Sequence, residues 1–276
     1  MKIVHNIAEL RNILKSVKNI ALVPTMGNLH DGHLALIRKA QKNADFVIVS
    51  IFVNPLQFSP NEDFSQYPRT LNADCNLLRS LDVDLVFAPD EKILFPVQQE
   101  ILLLLPSIAE KFEGKFRPGF FCGVATIVLK LFNIIQPDIA IFGKKDYQQL
   151  HIIRLMVQQL NFPIKILDEE IIRAADGLAL SSRNQYLDKA QRQEASSLHQ
   201  TVKCIVNKIT AGQNNFSLLE KKAAETLSER GWKVDYISVL NQKTLSPVHA
   251  RDQKLVVLAA ARIGKTRLID NIEIHR

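Results

Sequence analysis

The chain has 276 residues, 47% of them hydrophobic and 23% charged, with a formal net charge of +7. That is the balance of an ordinary globular protein, long enough for two domains; no apolar run approaches the roughly 18 residues that span a bilayer, so no membrane role is expected. Cys75, Cys122 and Cys204 are odd in number and far apart, which argues against a disulfide framework or a cysteine zinc cluster; each is expected as a small buried hydrophobe.

In chain order, Ile7–Val17 carries a helical apolar stripe and Ile20–Val23 reads as a buried parallel strand. Pro24–Gly32 is turn-rich, Leu34–Ala44 is a helix, and Phe46–Val53 is a second strand. This strand–loop–helix–strand unit predicts a βαβ crossover. Asn54–Phe58 leaves the second strand at its carboxyl end, where open parallel sheets bind ligands. Ser59–Thr70 is a polar loop containing Pro60 and Pro68, Leu71–Leu81 a helix, and Val83–Ala88 a third strand. Residues 93–113 show no clear period. Gly114–Gly119 is a basic loop, either closing over a polyphosphate or a plain exposed turn. Gly123–Ile135 is an apolar helix stopped by Pro137. Asp138–Phe142 is a strand, followed at once by Gly143–Gln149 and a helix to about Leu160. Ile164–Leu167 and Glu170–Arg173 read as a final strand, and Asp176-Gly177 as a turn before Leu178–Asn184.

From Leu187 the pattern becomes helical (Ala190–Thr210, Ser217–Arg230), then shows short β runs (Val234–Val239, Leu255–Ala260). Two domains are therefore expected. Residues 1–174 form an α/β domain on a parallel sheet, and residues 175–276 a smaller, more basic α+β domain. Residues 175–276 hold 16 Lys+Arg against 10 Asp+Glu, which is nearly all of the net charge. Their aromatic residues, Tyr186, Phe216, Trp232 and Tyr236, are not interleaved with the basic ones. A basic cap over a polyphosphate suits this better than a stacking platform for nucleic acid, and no nucleic-acid partner is expected. The three scattered cysteines point to a reducing, cytoplasmic compartment, and the N-terminus has no extended apolar core or small-residue cleavage site, so no signal peptide is expected.

Chemistry concentrates at three places. His30-Asp31-Gly32-His33 puts two imidazoles three residues apart at a helix start. There the free N–H groups and the positive dipole end attract anions. Gly27 and Gly32 allow backbone to approach a bound group. A zinc reading lacks a third nearby ligand. Gln57 can offer a hydroxy acid both a donor and an acceptor. In the Gly143–Gln149 segment, Lys145 can reach a phosphate and Asp146 a ribose hydroxyl or hydrated magnesium. Ser181, Ser182 and Arg183 suit a triphosphate, although an N-capping serine explains the same string.

Pro24–His33 resembles the HxGH signature of the nucleotidyltransferase superfamily in the form found in the pantoate–β-alanine ligases. The resemblance continues through Val49–Phe58, Tyr67–Thr70, Arg117–Gly119 with Gly123–Ile135, Pro137–Gln149, Arg173–Asn184 and Arg267–Asn271. It implies a homodimeric ligase with a Rossmann-like N-terminal domain (1–174) bearing the active site and a C-terminal lid domain (175–276) that closes over it. Such a ligase adenylates pantoate with ATP and releases pyrophosphate, and β-alanine then displaces AMP to give pantothenate. It implies ATP sites at Met26, Gly27, Asn28, Leu29, His30, Asp31, Gly32 and His33, at Gly143, Lys144, Lys145 and Asp146, at Ile172, and at Leu180, Ser181, Ser182 and Arg183. It also implies pantoate and β-alanine sites at Gln57 and Gln149, and catalytic roles for His33, His30, Lys145 and Arg183. Magnesium would arrive with the ATP phosphates, with no tightly bound cofactor and no separately assigned metal ligands. The chain departs from the family pattern at Phe120 and Cys122, where His and often Arg are usual, and at Lys144, where Glu is usual. Added charge at Lys144 predicts altered ATP affinity. The competing readings are a nucleotidyltransferase acting on a phosphate acceptor, and an RNA-binding relative whose site residues are idle.

Overall fold

The computed structural model describes residues 1–58 and 64–276, so the first part of the expected loop at 59–70, including Pro60, lies outside the described residues. The chain divides into two compact units: Met1–Lys144 with Gln148–Glu170, and Lys145–Tyr147 with Ile171–Arg276.

The first unit contains strands β1 (Lys2–Val4), β2 (Ile20–Thr25), β3 (Phe46–Ile51), β4 (Leu85–Phe87), β5 (Ile139–Gly143) and β6 (Lys165–Glu169). Its helices are α1 (Ile7–Leu14), α2 (Asp31–Gln41), α3 (Leu71–Ser80), α4 (Glu91–Leu94), α5 (Glu113–Phe116), α6 (Phe120–Ile135) and α7 (Tyr147–Gln159). The strands form one parallel sheet in the order β1-β4-β3-β2-β5-β6. Alternation along the strands splits the core into two layers. Leu22, Ile48 and Ala140 join the cluster built by α6 and α7, with α1 packed on it. Ala21, Val23, Val47, Val49, Ile139 and Ile141 join the cluster of α2 and α3. The result is the expected α/β fold.

The sheet is built outward from β2 through β3 and β4, then resumes with β5 on the other side of β2. That reversal is a topological switch point, the usual ligand position in open parallel sheets. Here β2 runs two residues beyond the expected end at Val23. Pairing with β3 continues to Thr25↔Ile51, whereas pairing with β5 stops at Leu22↔Ala140. The Thr25 carbonyl accepts from Phe52 on the β3 side, so Pro24 faces the β5 side, where no donor is needed. β2 and β5 thus part at their carboxyl ends.

Other expectations need correction. Glu170–Arg173 does not extend β6; instead Arg173 bridges Ala179. The Ala190–Thr210 helix is two helices, α8 (Lys189–Glu194) and α9 (Ser196–Thr210), joined through Ala195. Cys75 is buried, but Cys122 is half-buried and Cys204 exposed.

The second unit adds α10 (Phe216–Glu229), β7 (Lys233–Asn241), β8 (Lys254–Ile263) and β9 (Thr266–His275). The strands form an antiparallel β7-β8-β9 sheet. Leu255, Val257, Ala259 and Ala261 of β8 pack against Leu198, Val202 and Ile205 of α9 and Leu219 and Leu227 of α10. Its edge is locked by Glu194, which accepts from the Arg230 guanidinium at 2.7 Å and the Trp232 indole N–H at 3.1 Å. The Arg230 bond above all, against partial burial, holds the Glu194 carboxyl at about 2. A depressed carboxylate stabilises the fold above its unfolded pKa and loses that contribution as pH falls through the folded value. Thermal melts should therefore show Glu194→Gln less stable than the parent chain at neutral pH. The gap should close as pH falls from 4.5 towards 2. A gap independent of pH contradicts this account.

Candidate active site

The loop leaving β2 is held from both ends. Thr25 Oγ1 donates to the Ser50 carbonyl at 2.8 Å and accepts from Gly27 N–H at 3.2 Å. Gly27 and Asn28 both have left-handed backbones, with φ of 79° and 52°. That pair turns the chain sharply. Asp74 on α3, almost wholly buried, then fastens the turn. Its Oδ2 accepts from Asn28 N–H at 3.0 Å and the Thr70 hydroxyl at 3.0 Å, and its Oδ1 accepts from Leu29 N–H at 2.8 Å. A Cβ at Gly27 would meet Asp74 Oδ2 at 2.9 Å. Sequence reading missed Asp74, because a single Asp inside a helix of mixed polarity carries no motif.

His30 is the N-cap of α2 and His33 its third residue, and the two form a capping box. His30 Nδ1 accepts from Gly32 N–H at 3.1 Å, and His33 Nδ1 accepts from His30 N–H at 3.3 Å. An Nδ1 that accepts cannot carry the proton of a neutral ring, so each neutral imidazole keeps its proton on Nε2. The ring centroids lie 4.2 Å apart. The pair therefore has its two Nε2–H groups at the positive end of the α2 dipole. Gly32 has a further role that the sequence did not reveal. A Cβ there would lie 2.8 Å from the His30 ring. The glycine leaves room for the capping imidazole, and its backbone φ is not left-handed.

Gln57 closes a short 3-10 turn, Pro55–Gln57, after β3. Its Nε2 donates to the Met26 thioether and its Oε1 accepts from Asn54 Nδ2 at 3.2 Å. Met26 and Gln57, expected to bind different substrates, are thus in contact. Asn54 also donates to the Gly123 carbonyl at 3.1 Å. α6 approaches this turn so closely that a Cβ at Gly123 would sit 2.1 Å from the Leu56 carbonyl oxygen. The Gly114–Gly119 stretch is not a basic loop. It is α5 and the turn after it, with Gly114 buried. Arg117 donates to the Gln57 carbonyl at 3.2 Å, pairs with Glu113 at 3.5 Å, and lies 3.6 Å over the Phe120 ring. Phe120, one of the departures, is thus the platform for Arg117.

Gln148 and Gln149 divide their work. Gln148 is buried, accepting from Glu113 N–H at 3.1 Å and donating to the Ile108 and Lys111 carbonyls. Gln149, in the first turn of α7, is half-buried. Lys144 also departs from expectation. Its ammonium pairs with Asp168 at 3.6 Å and with Glu170, while Arg154 also pairs with Asp168. That charge is matched at the edge of the sheet, so added charge no longer argues for altered ATP affinity.

The other residues predicted from the sequence belong to the second unit. Ile172 and Leu180 sit side by side, Leu180 N–H donating to the Ile172 carbonyl at 2.9 Å. They flank a hairpin closed by the Arg173–Ala179 bridge. Ser181 Oγ then caps the turn Ser182–Tyr186 by accepting from Arg183 N–H at 3.3 Å. Both readings of Ser181 therefore stay compatible, since a capping serine also sets the start of the segment. The Lys145 carbonyl accepts from Asn271 Nδ2 at 3.1 Å, and Asp146 is exposed. Among the described residues, no group of three His, Cys, Asp or Glu side chains is placed to hold a metal, and no helix is long and apolar enough to cross a membrane.

A doubly wound parallel sheet with an imidazole pair capping the helix that leaves its switch point defines an α/β enzyme of the phosphate-handling class. The family model described as pantoate-beta-alanine ligase matches residues 2–273. The pantothenate synthetase of Nitrosomonas europaea is 58% identical over 98% of both chains. That of Nitrosospira multiformis is 54% identical over 99% of this chain and 98% of its own. A crystal structure of the enzyme from Thermus thermophilus is 39% identical, with a TM-score of 0.95 over the whole of both chains. One from Francisella tularensis, complexed with a β,γ-ATP compound and β-alanine, is 39% identical with a TM-score of 0.77, over 99% of this chain and 97% of its own. The chain belongs to the pantoate–β-alanine ligase family.

Proposed function

We propose that this chain makes pantothenate in two steps at the carboxyl ends of β2, β3 and β5. The pantoate carboxylate attacks the α-phosphorus of MgATP; a P–O bond to pantoate forms and the bond to pyrophosphate breaks. The β-alanine amine then attacks the carbonyl carbon of the mixed anhydride, AMP leaves, and the amine loses a proton. Adenylation is needed because a free carboxylate is a poor acyl donor and AMP is a good leaving group.

The His30–His33 capping box carries this reading. Two Nε2–H donors fixed by backbone bonds can follow charge as it builds on the pentacoordinate phosphorus. They need transfer no proton, because pyrophosphate leaves as its magnesium complex. Met26–His33 would line the nucleotide, with Gly143, Lys144, Lys145, Asp146, Ile172 and Leu180–Arg183 completing its site. Lys145 and Arg183 would act on the phosphates, Lys145 as a point charge and Arg183 as a fork. Gln57 and Gln149 would hold pantoate, Gln57 also lying near β-alanine. On this reading, residues 1–174 form the ATP- and pantoate-binding domain and 175–276 a lid.

The same reading makes the protein a cytoplasmic homodimer. An apolar stretch outside regular structure supports a second copy: Val97, Ile101 and Leu104 are 76%, 85% and 100% exposed, more than an isolated chain leaves in one short segment. The test is product analysis. Pantoate, β-alanine and MgATP should give pantothenate and AMP in equal amounts. ADP as the product, or nucleotide transferred to a phosphate acceptor, contradicts the reading.

A further inference from the structure

Three neighbouring residues of β9 do more than complete a sheet. Asp270, 4% exposed, accepts from both terminal nitrogens of Arg173 at 2.8 and 2.7 Å, and His199 Nδ1 lies 3.1 Å from its Oδ2. Arg173 reaches on to the Gly177 and Asn271 carbonyls at 3.1 and 3.2 Å. The hairpin between Ile172 and Leu180 is therefore tied at both its base and its tip. Gly177 has a φ of 92°, and the His199 ring lies 2.6 Å from where a Cβ would stand, so the tip seats on that ring. Burial pushes the Asp270 carboxyl up, but the bonds from His199 and Arg173 outweigh it and leave it below the usual carboxylate range. Beside it, Asn271 Nδ2 donates to the Lys145 carbonyl, and Glu273 accepts from the Tyr147 hydroxyl at 2.7 Å.

We propose that Asp270 and Asn271 are positioning residues for ATP. Asp270, through Arg173, sets the hairpin that leads into Leu180–Arg183, and Asn271 sets the backbone of Lys145. One dipeptide thus fixes the spacing of two phosphate-binding segments that lie 35 residues apart along the chain. This rests on the assignment of both segments to ATP under the proposed function.

The test uses the full chain and pyrophosphate exchange in the presence of pantoate. Asn271→Ala removes the side-chain hydrogen bond to the Lys145 carbonyl and should raise the KM for ATP about tenfold. The KM for pantoate should stay unchanged, measured well below the melting transition, which loss of this 4%-exposed amide lowers. Lys145→Ala should raise the KM for ATP by at least as much, and adding Asn271→Ala to it should cost little more, because both act through one segment. Asp270→Asn, assayed well below its own melting transition, should likewise raise the KM for ATP and spare that for pantoate. Asn271→Ala with an unchanged KM for ATP, equal rises for both substrates, or full additivity with Lys145→Ala overturns the inference. An unchanged KM for ATP in Lys145→Ala refutes the segment's assignment to ATP, and the inference falls with it.

Discussion

His33→Ala is expected to slow adenylation by about 10²–10³-fold at saturating pantoate and MgATP, the usual cost of removing one donor aimed at developing charge. Two effects must be separated. The His33 ring also caps the His30 N–H, and losing a cap costs about 1 kcal/mol of stability. That loss is visible in a melt and does not itself slow a folded enzyme. Gln57→Ala should lose far less in the same single-turnover assay, because a group that binds substrate and transition state alike moves KM more than kcat. Equal losses in the two variants contradict this division of roles.

The second large effect is structural in origin. Asp74→Ala leaves the Asn28 and Leu29 N–H groups without the carboxylate that accepts from them. Asn28 N–H keeps the Thr70 hydroxyl as an acceptor at 3.1 Å, whereas Leu29 N–H loses the Oδ1 that accepts from it. An orphaned donor costs about 1–3 kcal/mol, and a loss of that size is expected in denaturant unfolding. The loop carries Met26 to His30, so the KM for ATP should rise as well. Asp74→Asn keeps the shape and one acceptor, and should fall between the two. Full stability in Asp74→Ala contradicts the role given to this carboxylate.

The sheet was legible because its strands are short apolar runs separated by helical stripes, and a parallel sheet buried on both faces needs that pattern. β1 was not legible: a three-residue strand has no period to detect. The imidazole pair could be read from its spacing, but its tautomer could not, since that depends on which backbone N–H each Nδ1 meets. Gln148 and Gln149 are identical in sequence terms, and only packing shows that the first is spent on the 108–113 segment. Arg117 read as part of an exposed basic loop, either over a polyphosphate or a plain turn, because basic residues next to Gly and Pro are usually exposed. Its neighbours Phe120 and Glu113 instead hold it against the Gln57 carbonyl. Asp74 and Asp270 were missed for a common reason. Each acts on chain far from it in sequence, so no local spacing marks it.

The central claim is a reversible adenylate half-reaction, and the direct measurement is pantoate-dependent exchange of labelled pyrophosphate into ATP with β-alanine absent. The account predicts exchange that requires pantoate and falls about 10²–10³-fold in His33→Ala. No exchange, in protein shown to be folded and to bind ATP, would contradict it.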